Sequence, residues 1–419
     1  MNPKESLSSS GKHAYTFVAQ FHLYKFPVMQ KQLPILFFFG FILLLINQQL
    51  SAQGCVAIRP MSGCAGTASS SILLGKGQWQ LGANYRYFRS FRHFKSDTEQ
   101  KERLEKNTEV INWANSLDLG VTYGVSNRLS LSFNLPLIHY DRSSLYEHYG
   151  NSTTANPEQK RFKTGAQGIG DIRLSGSYWL FNPEKHIKHN LAVGLGVKLP
   201  TGNSNVQDEF HKRKSTDGGD STIVKAVDQS IQLGDGGVGI SLELQGYASL
   251  FKGAVLYFNG FYMSNPQETN KTVNRVITAN STEVDKITQF HSIADQFVAR
   301  VGMNYAVLPI QGVAVGLGLR AEGIPNKDII GGSNGFRRPG FIVSVEPGVS
   351  LQRGQFSFSA NVPYALYRKR TRSVADIAGG NDQFGIPRNG DAAFADYSVN
   401  VGLAYRFGGQ KHMMEAPAK

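Results

Sequence analysis

The sequence reads LSLSFNLPL at residues 129–137, where apolar and polar side chains alternate with a period of two. Leu and Phe occupy one set of positions, while Ser130, Ser132 and Asn134 occupy the other. Successive side chains of a β-strand point to opposite faces, so this segment predicts a strand with one apolar and one polar face.

The same alternation recurs along the chain. Further strands are predicted to begin near residues 79, 113, 172, 191, 238, 256, 297, 313, 341, 356 and 397. Their connections alternate between short and long, with short ones at 124–128, 181–188, 250–253, 309–312 and 353–354. Short periplasmic turns and long outer loops are typical of outer-membrane barrels. We therefore expect an all-β fold, a transmembrane antiparallel up-and-down β-barrel of about 12 strands spanning residues 77–407 in the outer membrane of a Gram-negative cell.

The N-terminal region has the features of an export signal. An apolar run at 33–46 follows Lys31 and is too short for an ordinary spanning helix. Small residues at Leu50-Ser51-Ala52 form a cleavage site. We expect a signal peptide at 1–52, with Met29 as an alternative start, a periplasmic N-terminal segment at 53–76 and a periplasmic C-terminal tail at 408–419.

The two cysteines, Cys55 and Cys64, follow the cleavage site. In an oxidising periplasm they predict a short disulfide loop. A lipid anchor on Cys55 is the competing interpretation, although Gln53-Gly54 before it is a poor match. We expect no metal and no cofactor, because His186 and His189 lack further ligands nearby in the sequence.

The formal net charge of +13 would suggest nucleic-acid binding in a soluble protein. The segment at 86–95 even interleaves basic with aromatic residues. Within a barrel, however, it is typical of a strand end that reaches the membrane interface. We therefore expect no nucleic-acid partner; basic loops would instead face outer-membrane lipid and the phosphates of lipopolysaccharide.

The polar faces of the strands carry charges of both signs. We expect these side chains to line the lumen of the barrel: Arg86, Asp118, Asp171, Arg173, Lys198, Glu243, Arg300, Arg320, Glu322, Glu346 and Arg406. Opposite charges across a narrow lumen could equally pair and close it, and the sequence leaves both alternatives open.

Prolines recur near the outer ends of outward-going strands, at Pro136, Pro200 and Pro363. Proline cannot donate to a strand ladder. Each either ends its strand or kinks the wall so that a lateral gap opens.

The sequence contains no arrangement that favours an enzyme. His291 and Ser292 are adjacent, which in a strand points them to opposite faces. We place both in a loop and expect no catalytic residue.

Three glycine-rich segments carry a resemblance to a known family. They are Gly168-Ile169-Gly170-Asp171, Lys198-Leu199-Pro200-Thr201-Gly202 and Leu233-Gly234-Asp235-Gly236-Gly237. Together they resemble the outer-membrane channels named for the meta pathway of phenol degradation, which are similar at fold level to barrels that carry hydrophobic compounds. The resemblance implies passive transport of small molecules, hydrophobic or aromatic ones among them.

The alternative function is a non-conducting structural or binding barrel that acts through its extracellular loops.

The last strand ends in Tyr405-Arg406-Phe407. The barrel assembly machinery recognises an aromatic residue at the end of the last strand, although here the chain continues for twelve residues beyond Phe407.

The first prediction concerns export. The mature chain should begin at Gln53 and fractionate with outer membranes, because cleavage follows the small residues at 51–52. N-terminal sequencing of the membrane-extracted protein checks this. A retained apolar run at 33–46, or a lipid on Cys55, contradicts it.

Overall fold

The structure, a computed structural model, describes residues 74–214, 218–307 and 310–409. The expected signal peptide, the Cys55–Cys64 disulfide and the tail beyond Gly409 lie outside the described residues. Among the described residues, no helix is long and apolar enough to cross a membrane.

The wall is one antiparallel sheet whose strands are built from the alternating segments. Its members are β1 (Gln78–Lys95), β3 (Ile111–Gly124), β4 (Leu129–Ser144), β5 (Phe162–Ile169), β6 (Arg173–Trp179), β7 (His189–Lys198), β10 (Gly239–Phe251), β11 (Ala254–Ser264), β14 (Gln296–Ala306), β15 (Val313–Ile324), β16 (Gly340–Arg353), β17 (Phe356–Asn361), β18 (Tyr364–Arg370) and β19 (Ala392–Gly408). Strands β5 and β6 share the partner β4, and β17 and β18 share β16, so each pair is one interrupted wall strand. The expected 12-stranded barrel is confirmed.

The sheet closes on itself through β1 and β19. Their ladder runs from Gln78 opposite Gly408 to Phe88 opposite Ser398, and continues outward through two register shifts. Closure leaves neither β1 nor β19 as an exposed edge, which is the condition for a sheet to cross lipid.

The remaining elements lie in the long loops. They are β2 (Thr98–Glu99), α1 (Lys101–Glu105), β8 (Gln207–Arg213), β9 (Asp220–Ala226), a 3-10 turn (Gln229–Ile231), β12 (Thr269–Val273), α2 (Glu283–Ile287), β13 (Phe290–Ser292) and α3 (Val374–Ala378). Strands β8 and β9 form a hairpin, and β12 pairs with β13. The long connections therefore carry structure that the sequence pattern did not predict.

All five short connections lie at one end of the barrel, as expected. There Gly312 adopts a positive φ of 81°, and a Cβ at this position would lie 2.0 Å from the carbonyl oxygen of Gln352. Aromatic side chains gather at the same end: the rings of Trp79 and Tyr123 are 4.5 Å apart, and those of Phe356 and Tyr405 are 4.8 Å apart. Such a girdle marks the level of a lipid–water interface.

The exposures of the wall side chains agree with an apolar outer and a polar inner face. Leu131, Leu195 and Leu317 point outward and are 51, 63 and 59% exposed. Arg300 and Arg320 point inward and are 6 and 3% exposed. The barrel thus has an apolar outside and a polar inside, the reverse of a soluble barrel.

Some strands extend further outward than the sequence pattern indicated. The segment now seen as β5 was expected to be loop, as was His291-Ser292, which lies in β13.

The prolines of the wall occupy different positions relative to their strands. Pro200 follows the end of β7, whereas Pro136 lies inside β4 opposite Asp118. Strand-end placement is thus right for Pro200 and wrong for Pro136, because β4 has pairing partners on both sides beyond the proline.

The second prediction tests the facing energetically. Leu317→Arg should lower the free energy of unfolding by about 2–4 kcal/mol if the site is near the bilayer midplane, because a charge there meets hydrocarbon. Ser132→Arg is the matched control, since its side chain enters the polar interior and should cost far less. Denaturant titration of the barrel in lipid vesicles measures both. An equal or larger cost at Ser132 would contradict the assigned faces.

Candidate transport path

The eleven charged residues predicted from the polar faces all point into the barrel. Nine are buried, while Arg86 and Asp118 are half-buried. The ten that belong to strands lie on the face opposite the exposed apolar side chains, as the period of two requires, whereas Asp171 lies in the break between β5 and β6. Their role in transport stays a prediction; their position does not contradict it.

Five of these residues form a network of ion pairs across the interior, here called the charge lattice. Arg300 donates to both carboxylate oxygens of Glu346 at 2.8 Å, and Arg320 donates to Glu322 at 2.8 and 3.0 Å. Arg86 reaches Glu322 at 3.1 Å, although β1 and β15 are separated in the wall by β19, the β17–β18 strand and β16. Of the two alternatives the sequence left open, these five charges follow the one in which opposite signs pair.

A second group joins the three glycine-rich segments. Lys198 contacts both Asp171, at 3.8 Å, and Asp235. Asp171 also accepts hydrogen bonds from the backbone N–H groups of Gly202 at 2.9 Å and Asp235 at 3.1 Å. A Cβ on Gly234 would lie 2.4 Å from the Asp171 carboxylate, so only glycine fits there. The three segments that carry the family resemblance therefore contact one another in a single cluster at the break between β5 and β6.

The other predicted residues do not join these two groups in the same way. Arg406 on β19 donates to the side chain of Gln80, its ladder partner on β1, at 2.8 Å. Asp118, Arg173 and Glu243 face the same interior from β3, β6 and β10.

The connection between β9 and β10 enters the barrel and packs against the inner face of β1, β3, β4, β5 and β19 in its outer half. We call residues 227–233 the plug. Its side chains Val227, Ile231 and Leu233 are buried against inward-facing residues of the wall, among them Phe88 and Ile138. Sequence analysis missed the plug because it has no period of two. The available signal was three aliphatic side chains within a segment assigned to a loop.

An ion-pair cluster holds the plug to the wall. Asp228 accepts two hydrogen bonds from Arg338, at 2.8 and 2.6 Å, and lies 3.4 Å from Arg142 on β4. Burial alone would raise the pKa of the Asp228 carboxyl, but the two guanidinium groups hold that pKa well below its usual value. The carboxylate therefore stays charged and keeps the plug attached.

The wall itself has a seam between β18 and β19. On the periplasmic side of the seam, β17 pairs with β19 from Phe356 to Asn361. On the outer side of Pro363, the one ladder pair between β18 and β19 in the described chain is Tyr364 opposite Tyr397. The outer part of β19 turns inward, where Phe394 is fully buried and contacts Phe94. Pro363 lies between the end of β17 and the start of β18, so both a strand end and a kink occur there, and a lateral gap stays a prediction.

Side chains bridge the middle of the seam, and at its outer end the backbone N–H of Arg370 donates to the carbonyl oxygen of Ser96, just after β1, at 2.7 Å. Arg368 donates to the carbonyl oxygen of Ala395 at 3.0 Å and to the carboxylate of Asp396 at 2.6 Å. Arg92 on β1 donates to the same carboxylate at 2.9 Å. We call Arg92, Arg368 and Asp396 the latch.

No group of three or more metal-ligating side chains occurs within 74–214, 218–307 and 310–409. His291 and Ser292 are both buried in β13, where adjacent residues point to opposite sides.

Comparisons with known proteins were made for the whole chain. No family model matches it, and no curated protein matches its sequence. Solved structures with a similar fold include an outer-membrane channel from Pseudomonas putida F1, at 14% identity and a TM-score of 0.49, where the match covers 84% of this chain and 100% of that one. They also include the toluene transporter TodX from Pseudomonas putida, at 10% identity and a TM-score of 0.38, covering 86 and 96%. The translocator domain of the autotransporter NalP from Neisseria meningitidis has 11% identity and a TM-score of 0.38, covering 80 and 90%.

The chain is an outer-membrane β-barrel. That statement rests on its own architecture: a closed antiparallel wall, an outward apolar face, and short turns at the end that carries the aromatic girdle.

The third prediction concerns the charge lattice. Glu346→Gln should destabilise the barrel by about 3 kcal/mol, because it leaves the buried Arg300 guanidinium without a counter-charge. Thermal unfolding in detergent measures the loss. Glu158→Gln, in an exposed outer loop, is the control of equal charge change and should have little effect.

A double variant separates charge imbalance from a merely altered contact. Arg300→Met combined with Glu346→Leu removes both charges and should cost less than Glu346→Gln alone. A double variant that is less stable than the single one would contradict this account.

Proposed function

We propose that the barrel is a channel for small apolar molecules, aromatic hydrocarbons among them. They enter between the outer loops, pass the apolar outer half of the interior and leave sideways through the seam into the membrane. The seam between β18 and β19 is the observation that carries this proposal.

The seam is weaker than any intact part of the wall. An intact ladder is held by backbone hydrogen bonds that have no alternative partner in lipid. Along Ala365–Arg370 the β19 side is met by side chains: Arg368, which is 8% exposed, contacts Asp396, which is 25% exposed. These few side-chain contacts take the place of a continuous backbone ladder, so fewer hydrogen bonds must break for the seam to open.

Apolar surface lies on both sides of the seam. Inside, Phe94 and Phe394 pack with Ile342, next to the apolar lining around Phe88. Outside, Leu366 and Tyr397 are exposed on the lipid-facing wall. A small hydrophobic molecule would therefore exchange one apolar surface for another as it crosses.

The straight route along the barrel axis is unfavourable for such a molecule. It leads into the charge lattice, where an apolar molecule would separate paired ions and offer them no hydrogen bonds in return. Lateral exit avoids that cost.

The alternative is a non-conducting barrel that acts through its outer loops. The plug and its ion-pair cluster favour this alternative, because they occupy part of the interior through which a solute would pass. A loop-acting barrel needs no opening in its wall, so restraining the seam should leave its activity unchanged.

The fourth prediction uses that difference. Arg368→Cys with Asp396→Cys, in a background with Cys55 and Cys64 replaced by Ser, places two thiols across the seam. A short bis-methanethiosulfonate reagent, which joins two thiols through reducible disulfides and releases sulfinate, should then block uptake of radiolabelled toluene by intact Gram-negative cells that lack other aromatic-hydrocarbon channels. Reduction should restore uptake to at least the wild-type rate, because the latch is then absent.

The control pair is Ala299→Cys with Ala321→Cys, which lie opposite each other in the intact ladder of β14 and β15. Linking this pair should leave uptake unchanged. Equal uptake by the linked and reduced forms of the seam variant would contradict lateral exit. Absence of uptake by the wild-type barrel would favour the loop-acting alternative.

A further inference from the structure

One sector of the outer wall carries basic and aromatic side chains together. We call Arg89, Phe91, Trp113 and Lys163 the rim patch. Arg89 lies directly opposite Trp113 in the ladder of β1 and β3, and Lys163 follows on β5 beyond β4. The Arg89 guanidinium lies 4.5 Å from the centre of the Phe91 ring, and the Lys163 ammonium lies 4.4 Å from that of Trp113.

The rim patch points away from the interior. Arg89 has the same parity along β1 as Tyr85 and Leu81, which are outward and exposed. The Lys163 side chain is 57% exposed. These two cations therefore face the surroundings of the barrel, where a position in hydrocarbon would be costly.

Strand geometry gives the height of the rim patch in the membrane. Arg89 lies ten residues beyond Trp79, which belongs to the girdle at the periplasmic end. At about 3.3 Å per residue the path along the strand is ~33 Å, and a tilt of about 40° reduces this to ~25 Å of height. That equals the ~25 Å height of the apolar band in barrels of this kind. The rim patch thus lies at the level of the outer headgroups.

Other sectors of the wall differ at their outer ends. The outward positions there are Ile240 on β10, Tyr262 on β11 and Phe297 on β14. On β16, Phe341 lies opposite Lys369 of β18. Among the described strands, cations therefore accompany aromatic rings at the outer end on the side of the barrel that runs from β16 through β1 to β5, and not on β10, β11 and β14.

We propose that the rim patch binds the phosphate groups of lipid A in the outer leaflet. A guanidinium offers a phosphate two parallel hydrogen bonds, and an ammonium supplies a second positive charge. Asp141 lies 4.0 Å from Lys163 and leaves the patch with a net positive charge, to which the exposed Lys95 at the end of β1 adds. Beneath the patch, Tyr85, Leu119 and Leu137 form an exposed apolar surface for acyl chains.

The chemistry of the ligand fits both parts of this surface. Lipid A joins phosphate groups to several acyl chains, so its charged head meets the cations while its chains lie along the apolar wall. Ring faces hold the two cations in place, which reduces the side-chain entropy lost on binding.

The test compares lipids that differ in phosphate. The purified full-length barrel in detergent is titrated with bis-phosphorylated lipid A, with the same lipid after removal of both phosphates, and with phosphatidylglycerol, and native mass spectrometry reads the bound fraction. Arg89→Gln combined with Lys163→Gln should weaken binding of bis-phosphorylated lipid A about thirtyfold, since each cation near an anionic lipid contributes about 1 kcal/mol.

The control is Lys252→Gln, an exposed cation in the turn at the periplasmic end, which should leave binding unchanged. The dephosphorylated lipid should bind wild-type barrel no better than lipid A binds the double variant. Equal binding of lipid A by wild type and double variant would overturn the proposal. So would tighter binding of phosphatidylglycerol than of lipid A, because the site would then be a general phospholipid site.

Discussion

The ladder of backbone hydrogen bonds between β1 and β19 joins the two ends of the sheet, and the other features of the barrel depend on that closure. In lipid, each unpaired backbone group costs several kcal/mol, so an open edge would be untenable. Closure also sets which side is inside. Once the wall is a cylinder, the period of two sends Arg300 and Arg320 inward and Leu317 outward, and a shift of one residue would exchange the two sets.

The two interruptions of the wall occur where proline removes a donor. At Pro136, the partner strand breaks between β5 and β6, and the extra residue lets Asp171 turn inward to bind the other glycine-rich segments. At Pro363, β18 separates from β19 and the latch takes over from the ladder. Each break thus has a consequence: the first anchors the plug, and the second weakens the wall.

The interior combines two kinds of packing that serve different purposes. The charge lattice connects distant strands and stiffens the barrel, because each arginine has a carboxylate in reach. The plug packs aliphatic side chains against the wall in the outer half and is held by Asp228. Apolar packing therefore lies above a layer of paired charges, and the seam lies beside it. The proposed lateral exit would avoid the charged layer that conduction along the axis has to cross.

The amino-acid sequence by itself determined the strands, their facing and the alternation of turns, because side-chain alternation is a local property of extended backbone. It also identified eleven interior charges, although not Arg142, Asp228 or Arg368. It did not identify the partners: Arg86 and Glu322 are 236 residues apart, and their contact depends on the curvature and stagger of the closed wall. The plug and the seam were likewise decided only by the tertiary structure. Residues such as Ile231 have no periodic pattern, and the fate of the strand beyond Pro363 depends on where β19 lies, which no local signal records.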